Sequence, residues 1–396
     1  IFGHIREFFF NYPQKLKIDI NVKYYKKYRT IILASFFCLI LIICFSNYFF
    51  QIYQRGFVGQ NYHFLINGFV KTCLLYFLTL CSAIILYYDI ASYKKVFVVI
   101  IFLIFLEAFL SSLSMLSRGM IFNSSALLYA LYKLSNKIDL KLNFVFFLKM
   151  FVILIITFVI SVIYVNQLRI NVYWNLEKPY HQNKKLNIIS NADLNNNREL
   201  KKFSDKNFDR YDYSRLEDLD PNTKSKNLLS KSFYRFNHLM LKRWVGIDSM
   251  LVVTRNKEIL SLDLFKQSLK EKFNAKLPSF YESTFNILPP DFYKIESNRK
   301  GNTLPGLITF LFFSGSYIFL FSMMMLFCLL ASILEYLFFR LTFNNLLASG
   351  LIGMVISYRF ANFGYLPAQS YLLFGSIIGV MFTFFVIRFF HKFYFS

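Results

Sequence analysis

Charged side chains are scarce in this sequence. Asp, Glu, Lys and Arg together make up 17% of the 396 residues, against about 25% in a soluble domain. With 56% of the residues hydrophobic, that scarcity excludes a disordered chain, a collagen and a disulfide-rich secreted module. An ordinary cytosolic enzyme is excluded too, because the apolar residues come in runs too long for a core helix. Cysteine is equally sparse. Cys38, Cys44, Cys73, Cys81 and Cys328 all stand in apolar runs. None has metal-ligand spacing and no pair lies in a polar loop where a disulfide would form, so they read as small core residues. The sequence has no HExxH, no Walker P-loop and no GxSxG, which removes the commonest zinc, nucleotide and serine-nucleophile sites. No repeat of 20–50 residues is apparent, and no signal peptide is visible.

What remains is a chain of apolar segments rich in Phe and Tyr, 51 and 27 of them. A helix crossing about 30 Å of hydrocarbon needs about 20 apolar residues. Spans are expected at 31–50, 65–87, 96–117, 119–132, 144–165, 317–339, 345–358 and 370–388, the fourth and seventh being short. The predicted fold is therefore all-α: a polytopic membrane helical bundle of about eight spans. Its parts are N-terminal transmembrane helices over 1–165, a large and mainly helical periplasmic loop over 166–302, and C-terminal transmembrane helices over 303–396.

The charge balance orients the bundle. There are 45 Lys and Arg against 22 Asp and Glu, a net charge of +23. In a soluble protein this would point to nucleic acid, but in a membrane chain the basic residues first mark the cytoplasmic loops. With residue 1 inside and eight alternating spans, fifteen basic residues fall in inside segments. Only Arg55, Arg118 and Arg359 fall in the short outside loops. The insert then faces the periplasm of a bacterial inner membrane. It keeps 25 basic against 16 acidic residues. Within it, 182–226 reads as loop or weak helix. Residues 227–243 and 257–274 carry apolar residues at helical spacing, and the first of these has a basic face with Arg235, His238 and Lys242. Ser314-Gly315-Ser316 is expected to break the run 303–339, which as one helix would be about 55 Å long. Residues 304–313 would then lie at the outer interface or dip in as a half-helix, capped by Asn302 or Thr303 with Pro305 in its first turn, leaving free N–H groups as an anion site at the outer face.

Arginines on the outer side are the most informative feature. Arg118 stands in Ser-Arg-Gly between two spans, and Arg359 stands where the seventh span emerges. Arg243 ends the basic helix, in Lys242-Arg243-Trp244-Val245-Gly246-Ile247-Asp248. An arginine against the positive-inside trend and among apolar neighbours needs a partner. The planar guanidinium fork suits phosphate, while snorkelling to headgroups and pairing with loop carboxylates are the bland alternatives. Glu107, mid-membrane, is expected to accept an interhelical hydrogen bond from a Ser or Asn. Lys71 and Lys149 are expected to snorkel. His238 and Asp248 are the candidate bases; the bland alternatives are a surface histidine, and an Asp248 that pairs with Arg243 or caps the turn after Gly246. The first outside loop, QIYQRGFVGQNYH, has no Asp or Glu.

The Ser-Arg-Gly at a membrane exit, the large late loop with Arg-Trp-x-Gly-x-Asp and the following Leu-Pro-Gly resemble the O-antigen polymerase (Wzy) group. The resemblance covers most of the chain as a pattern of short motifs. It implies a glycosyltransferase of the GT-C type that joins sugar repeat units carried on undecaprenyl pyrophosphate, without nucleotide sugar, cofactor or metal. Its partners would be that lipid-linked oligosaccharide, membrane lipids, a chain-length regulator and a flippase, with no nucleic acid. Arg118, Arg243 and Arg359 match the group's arginines at the outer face. From the residues themselves, independently of the resemblance, Asp248 or His238 would be the base, and Arg235, Lys242, Trp244, Asn302 and Thr303 are the candidate substrate contacts. Members usually carry ten or more spans against the eight expected here; either upstream helices are absent from this chain or the resemblance misleads. An O-antigen ligase-type enzyme, a lipid-linked sugar transporter and a membrane sensor are the competing readings.

Overall fold

The computed structural model describes residues 22–55, 62–190 apart from 118, 137, 139 and 141, 247–271, 279–286, 305–363 and 366–395. Every regular element among the described residues is helical. The helices are α1 (Lys23–Phe50), α2 (Phe64–Tyr93), α3 (Val98–Ser114), α4 (Ile121–Ser135) and α5 (Phe144–Ser190). Then come the short α6 (Ile247–Arg255), α7 (Leu262–Leu269), α8 (Phe280–Thr284) and α9 (Leu307–Leu311). The C-terminal helices are α10 (Tyr317–Leu341), α11 (Leu346–Phe363) and α12 (Leu366–Phe395).

A helix lies at each position where a span was expected. Four contain a segment long and apolar enough to cross a membrane: Lys23–Phe50, Phe64–Tyr93, Phe144–Arg169 and Tyr317–Leu341. Their exposed faces explain why. On α5, Phe151, Ile155, Ile156 and Val159 are exposed, as are Ile318, Phe321 and Leu329 on α10. Each such side chain left in water forgoes about 1.5–3 kcal/mol, so a continuous apolar belt of this kind belongs in hydrocarbon. The protein is therefore membrane-embedded.

Inside the belt, α1 to α4 and the start of α5 share one core built on Ile40, Leu74, Leu86, Ile104, Leu127 and Leu131. α1 turns Leu33, Phe36, Ile40, Ile43 and Asn47 inward at helical spacing. α11 packs against α4 at small residues: a Cβ built on Gly350 would stand 3.0 Å from that of Ala130. A separate apolar cluster joins α6 to α9 to the start of α10 through Val253, Phe265, Tyr281, Phe310 and Phe313. Glu271 in this unit accepts a 2.8 Å bond from the Phe280 N–H.

Polar residues fasten the bundle at defined heights. Asp89, fully buried, accepts from Arg29 Nε at 2.6 Å, Arg29 Nη2 at 2.9 Å and the Tyr25 hydroxyl at 2.8 Å. The same guanidinium lies 4.1 Å from the Phe97 ring centroid. Mid-bundle, Glu107 accepts 3.0 Å bonds from Thr79 of α2 and Ser111 of its own helix. The expected interhelical partner thus exists, but it is a threonine. Cys44 and Cys73 are buried as expected, whereas Cys38 is exposed on α1.

Several expectations need correction. The Ser-Gly-Ser break is present, with Gly315 at φ +70° between a short 3-10 turn and α10. The segment before it is not a half-helix over 304–313. α9 begins at Leu307 with Gly306 as its N-cap, so neither Asn302 nor Thr303 caps it, and Pro305 precedes the helix. One and a half turns give too little aligned dipole for an anion site. The helix expected at 257–274 is divided: a 3-10 turn ends at Ile259, and Ser261 caps α7 by accepting from the Leu264 N–H. α5 passes residue 165 without a break and continues to Ser190. At 1.5 Å per residue its 47 residues run about 70 Å, more than twice the hydrocarbon thickness. The helix expected at 227–243 lies outside the described residues.

Candidate functional site

The site is built at the end of the bundle opposite the Arg29–Asp89 pair. α1 stops where Gln51 adopts a left-handed backbone, φ 49°. The chain then runs through Ile52, Tyr53, Gln54 and Arg55 across the end of the bundle. Asn47, fully buried in the last turn of α1, holds this loop. Its Oδ1 accepts from the Tyr53 N–H at 2.8 Å, and its Nδ2 donates to the Tyr53 carbonyl at 3.0 Å and the Ser114 carbonyl at 2.9 Å. An asparagine amide offers both donor and acceptor, so one side chain pins two neighbouring segments.

The turn after α3 is fixed in the same way. The Arg55 N–H donates to the Met115 carbonyl at 2.9 Å. Arg169 of α5 donates from Nε to the Leu116 carbonyl at 2.8 Å and from Nη2 to the Arg55 carbonyl at 2.6 Å. One guanidinium thus joins the long helix to the two loops that carry Arg55 and lead to Arg118. Lysine has the charge but not the fork. Arg169→Lys is therefore expected to release one carbonyl, at about 1.5–3 kcal/mol for a bond to a charged donor. The measurement is the unfolding temperature in detergent. An unchanged temperature would show that this clamp contributes nothing to stability.

Three cations from three elements converge on Tyr53. Arg55 hydrogen-bonds the Tyr53 side chain, and Tyr53 also interacts electrostatically with Lys71 and Arg359. Lys71 Nζ of α2 lies 5.2 Å from the Tyr53 ring centroid. Arg359 of α11 interacts with Tyr53, Tyr358 and Arg55. Gly119 admits this arrangement: a Cβ there would stand 2.7 Å from the Tyr358 hydroxyl oxygen and 3.6 Å from Arg55 Nη1. The Tyr358 ring also packs on Phe122, centroids 5.9 Å apart. Burial pushes the Tyr53 phenol up, but Lys71, Arg55 and Arg359, with the Arg55 hydrogen bond, outweigh it and hold the phenol below its ordinary 10.0. Like charges brought this close repel one another, and an anion between them relieves that repulsion. The carboxylates of α2 and α3 are occupied elsewhere, Asp89 with Arg29 and Tyr25, Glu107 with Thr79 and Ser111.

Of the residues singled out by sequence, Arg359 stands in this cluster. Arg118 lies outside the described residues, although its neighbour Gly119 borders the cluster. Arg235, His238, Lys242, Arg243, Trp244, Asn302 and Thr303 lie outside them as well. Asp248 falls in the first turn of α6, and its side chain lies outside the described residues. Sequence reasoning missed Arg169, gave Lys71 only a snorkelling role and counted Arg55 only for topology. The signals were present in weak form. Arg169 follows the fifth span by four residues, and Arg55 is one of only three short-loop cations on its side. Among the described residues no group of three or more His, Cys, Asp or Glu is placed to hold a metal ion. No family model, curated protein or solved structure matches the chain.

Proposed function

We propose that this protein is a membrane glycosyltransferase that polymerises oligosaccharide repeat units carried on undecaprenyl pyrophosphate into surface polysaccharide. The observation that carries the reading is the cluster of Arg55, Lys71 and Arg359 around Tyr53, with Arg169 holding the Arg55 carbonyl, at one end of an apolar helical bundle. The opposite end holds Lys23, Lys26, Lys27, Arg29, Lys94 and Lys95, which the positive-inside rule assigns to the cytoplasm. With all eight expected spans crossing the bilayer, the cluster faces the periplasm of a bacterial inner membrane, and the insert between α5 and α10 is periplasmic. The GT-C likeness belongs to the same reading.

The chemistry follows from charge. As the bond between the anomeric carbon and the carrier's phosphate breaks, negative charge grows on the departing pyrophosphate. Fixed guanidinium groups aimed at that oxygen stabilise the transition state more than the ground state. A site with several cations already in place needs no metal to carry this charge. Arg118 and Arg243 would complete the arginine set from the neighbouring turn and the insert. Arg235, Lys242 and Trp244 would hold the acceptor chain, beside His238 and Asp248 of the same stretch of sequence. A chain-length regulator and a flippase would be the protein partners.

Complementation of a polymerase-deficient strain tests the reading. Restoration of long surface chains is expected. Surface polysaccharide that stays as single repeat units would overturn it in favour of ligation. Units trapped in the cytoplasmic leaflet when the gene is deleted would overturn it in favour of transport.

A further inference from the structure

The proposed transfer needs a base for the acceptor hydroxyl, and the loop after α1 has no carboxylate in its sequence QIYQRGFVGQNYH. We propose that Tyr53 supplies that base, as a phenolate held among Lys71, Arg55 and Arg359. This inference rests on the glycosyltransferase reading and assigns a role within it.

Three observations carry it. First, Tyr53 is placed by its backbone: both its N–H and its carbonyl bond to the buried Asn47, at 2.8 and 3.0 Å. A residue held at both peptide groups by a fully buried partner cannot drift with its loop. Second, its phenol is surrounded by positive charge from separate elements. Lys71 faces it from α2, Arg55 from its own loop and Arg359 from α11, where Tyr358 adjoins Arg359 and Arg55. From α1 the facing group is the neutral Asn47 amide, and from α5 Arg169 holds the Arg55 carbonyl. Third, that surrounding charge favours the ionised phenol, in line with its depressed pKa.

Among the described carboxyl groups outside the expected spans, Glu271 holds its proton more tightly than usual. Burial pushes it up to about 7, and the Phe280 N–H it accepts opposes the shift. It belongs to the α6–α9 unit and spends one oxygen on the Phe280 backbone, so it is committed to that unit's structure.

The step balances as follows. The phenolate oxygen of Tyr53 takes the proton of the acceptor sugar hydroxyl. The freed oxygen pair forms a bond to the donor's anomeric carbon, and the bond from that carbon to the phosphate oxygen breaks. Its electron pair leaves on the lipid pyrophosphate, beside Arg55 and Arg359. The neutral phenol then returns its proton to water before the next cycle.

The test uses the full-length protein in nanodiscs with lipid-linked repeat units extracted from a polymerase-deficient strain. Rate and KM are followed against pH. For the wild type, the rate is expected to rise with pH through the phenol's ionisation, because the base acts deprotonated. Tyr53→Phe is expected to lower kcat by about 10²–10⁴-fold, the usual contribution of a positioned base, to leave KM within a few-fold, and to lose the rising limb. Lys71→Met is expected to move that limb to higher pH, since removing a cation lets the phenol return toward its ordinary value. A Tyr53→Phe enzyme that keeps its rate overturns the proposal. So does one that loses only affinity, which would make Tyr53 a phosphate donor. If Tyr53→Phe is neutral while Arg359→Ala is inactive, this inference alone fails. If both are neutral, the glycosyltransferase reading fails with it.

Discussion

Arg359→Ala is expected to reduce chain extension by about 10²–10³-fold while the protein still inserts, the usual cost of one well-aimed donor to a developing oxyanion. The side chain leaves the last turns of α11 into the cluster that also holds Tyr53, Arg55 and Tyr358. Alanine removes a charge fixed in place before the carrier arrives, and water in the vacated space must reorient as the pyrophosphate leaves. Arg359→Lys is expected to recover only part of the rate, because an ammonium presents a point charge where the guanidinium presents two parallel N–H groups. Arg55→Ala is expected to have a similar effect, and if the two arginines hold one anion, as the proposed function requires, the loss in the double variant is less than additive. The measurement is the length distribution of surface polysaccharide, with membrane-inserted protein quantified beside it. A normal distribution from Arg359→Ala would remove this residue from the mechanism.

The second large effect lies at the other end of the bundle and concerns stability. Asp89→Ala is expected to destabilise the protein by about 3–5 kcal/mol, because it leaves the Arg29 charge without its buried partner. Asp89 is fully buried and receives three hydrogen bonds, two from the guanidinium and one from Tyr25. Through them it ties the start of α1 to the end of α2. The double change Arg29→Met with Asp89→Leu is expected to cost far less, since neither charge then has to be desolvated. Unfolding temperature in detergent separates the two cases. An Asp89→Ala protein as stable as the wild type would mean that this pair contributes nothing.

The helices were legible because their signal is strong. A run such as IILASFFCLILIICF over 31–45 can bury its backbone polar groups in lipid only as a helix. The break at Gly315 was legible for a similar reason: a helix from 303 to 339 would outrun the bilayer, and only Gly in that run takes a left-handed backbone without strain. The ends were not. α9 starts at Gly306 because its cap comes from backbone geometry, and no side-chain signal marks that choice over Asn302 or Thr303. α5 continues past 165 because nothing in NQLRINVYW breaks a helix, although its polarity reads as an exit from the membrane.

The site was half legible. Arg359 stood out by opposing the charge trend of its surroundings. Arg55, Lys71 and Arg169 did not, because what makes them a group is the tertiary meeting of α2, α5, α11 and the loop after α1. Asn47 is invisible to any motif. It sits in an apolar helix like a minor polar interruption, and only the fold shows that it holds Tyr53 and Ser114 together. Tyr53 is one of 27 tyrosines, so composition argues against singling it out, while its three cationic neighbours argue for it.

The most direct test of the central claim is the binding of undecaprenyl pyrophosphate to the purified protein in nanodiscs, with and without the double change Arg55→Gln and Arg359→Gln. The wild type is expected to bind the carrier with an affinity that falls as salt is raised, and to prefer it to undecaprenol, which lacks the phosphates. The double variant is expected to lose that preference while keeping its fold. Equal affinity of the two proteins for the pyrophosphate, or equal affinity of the wild type for both lipids, would contradict the account.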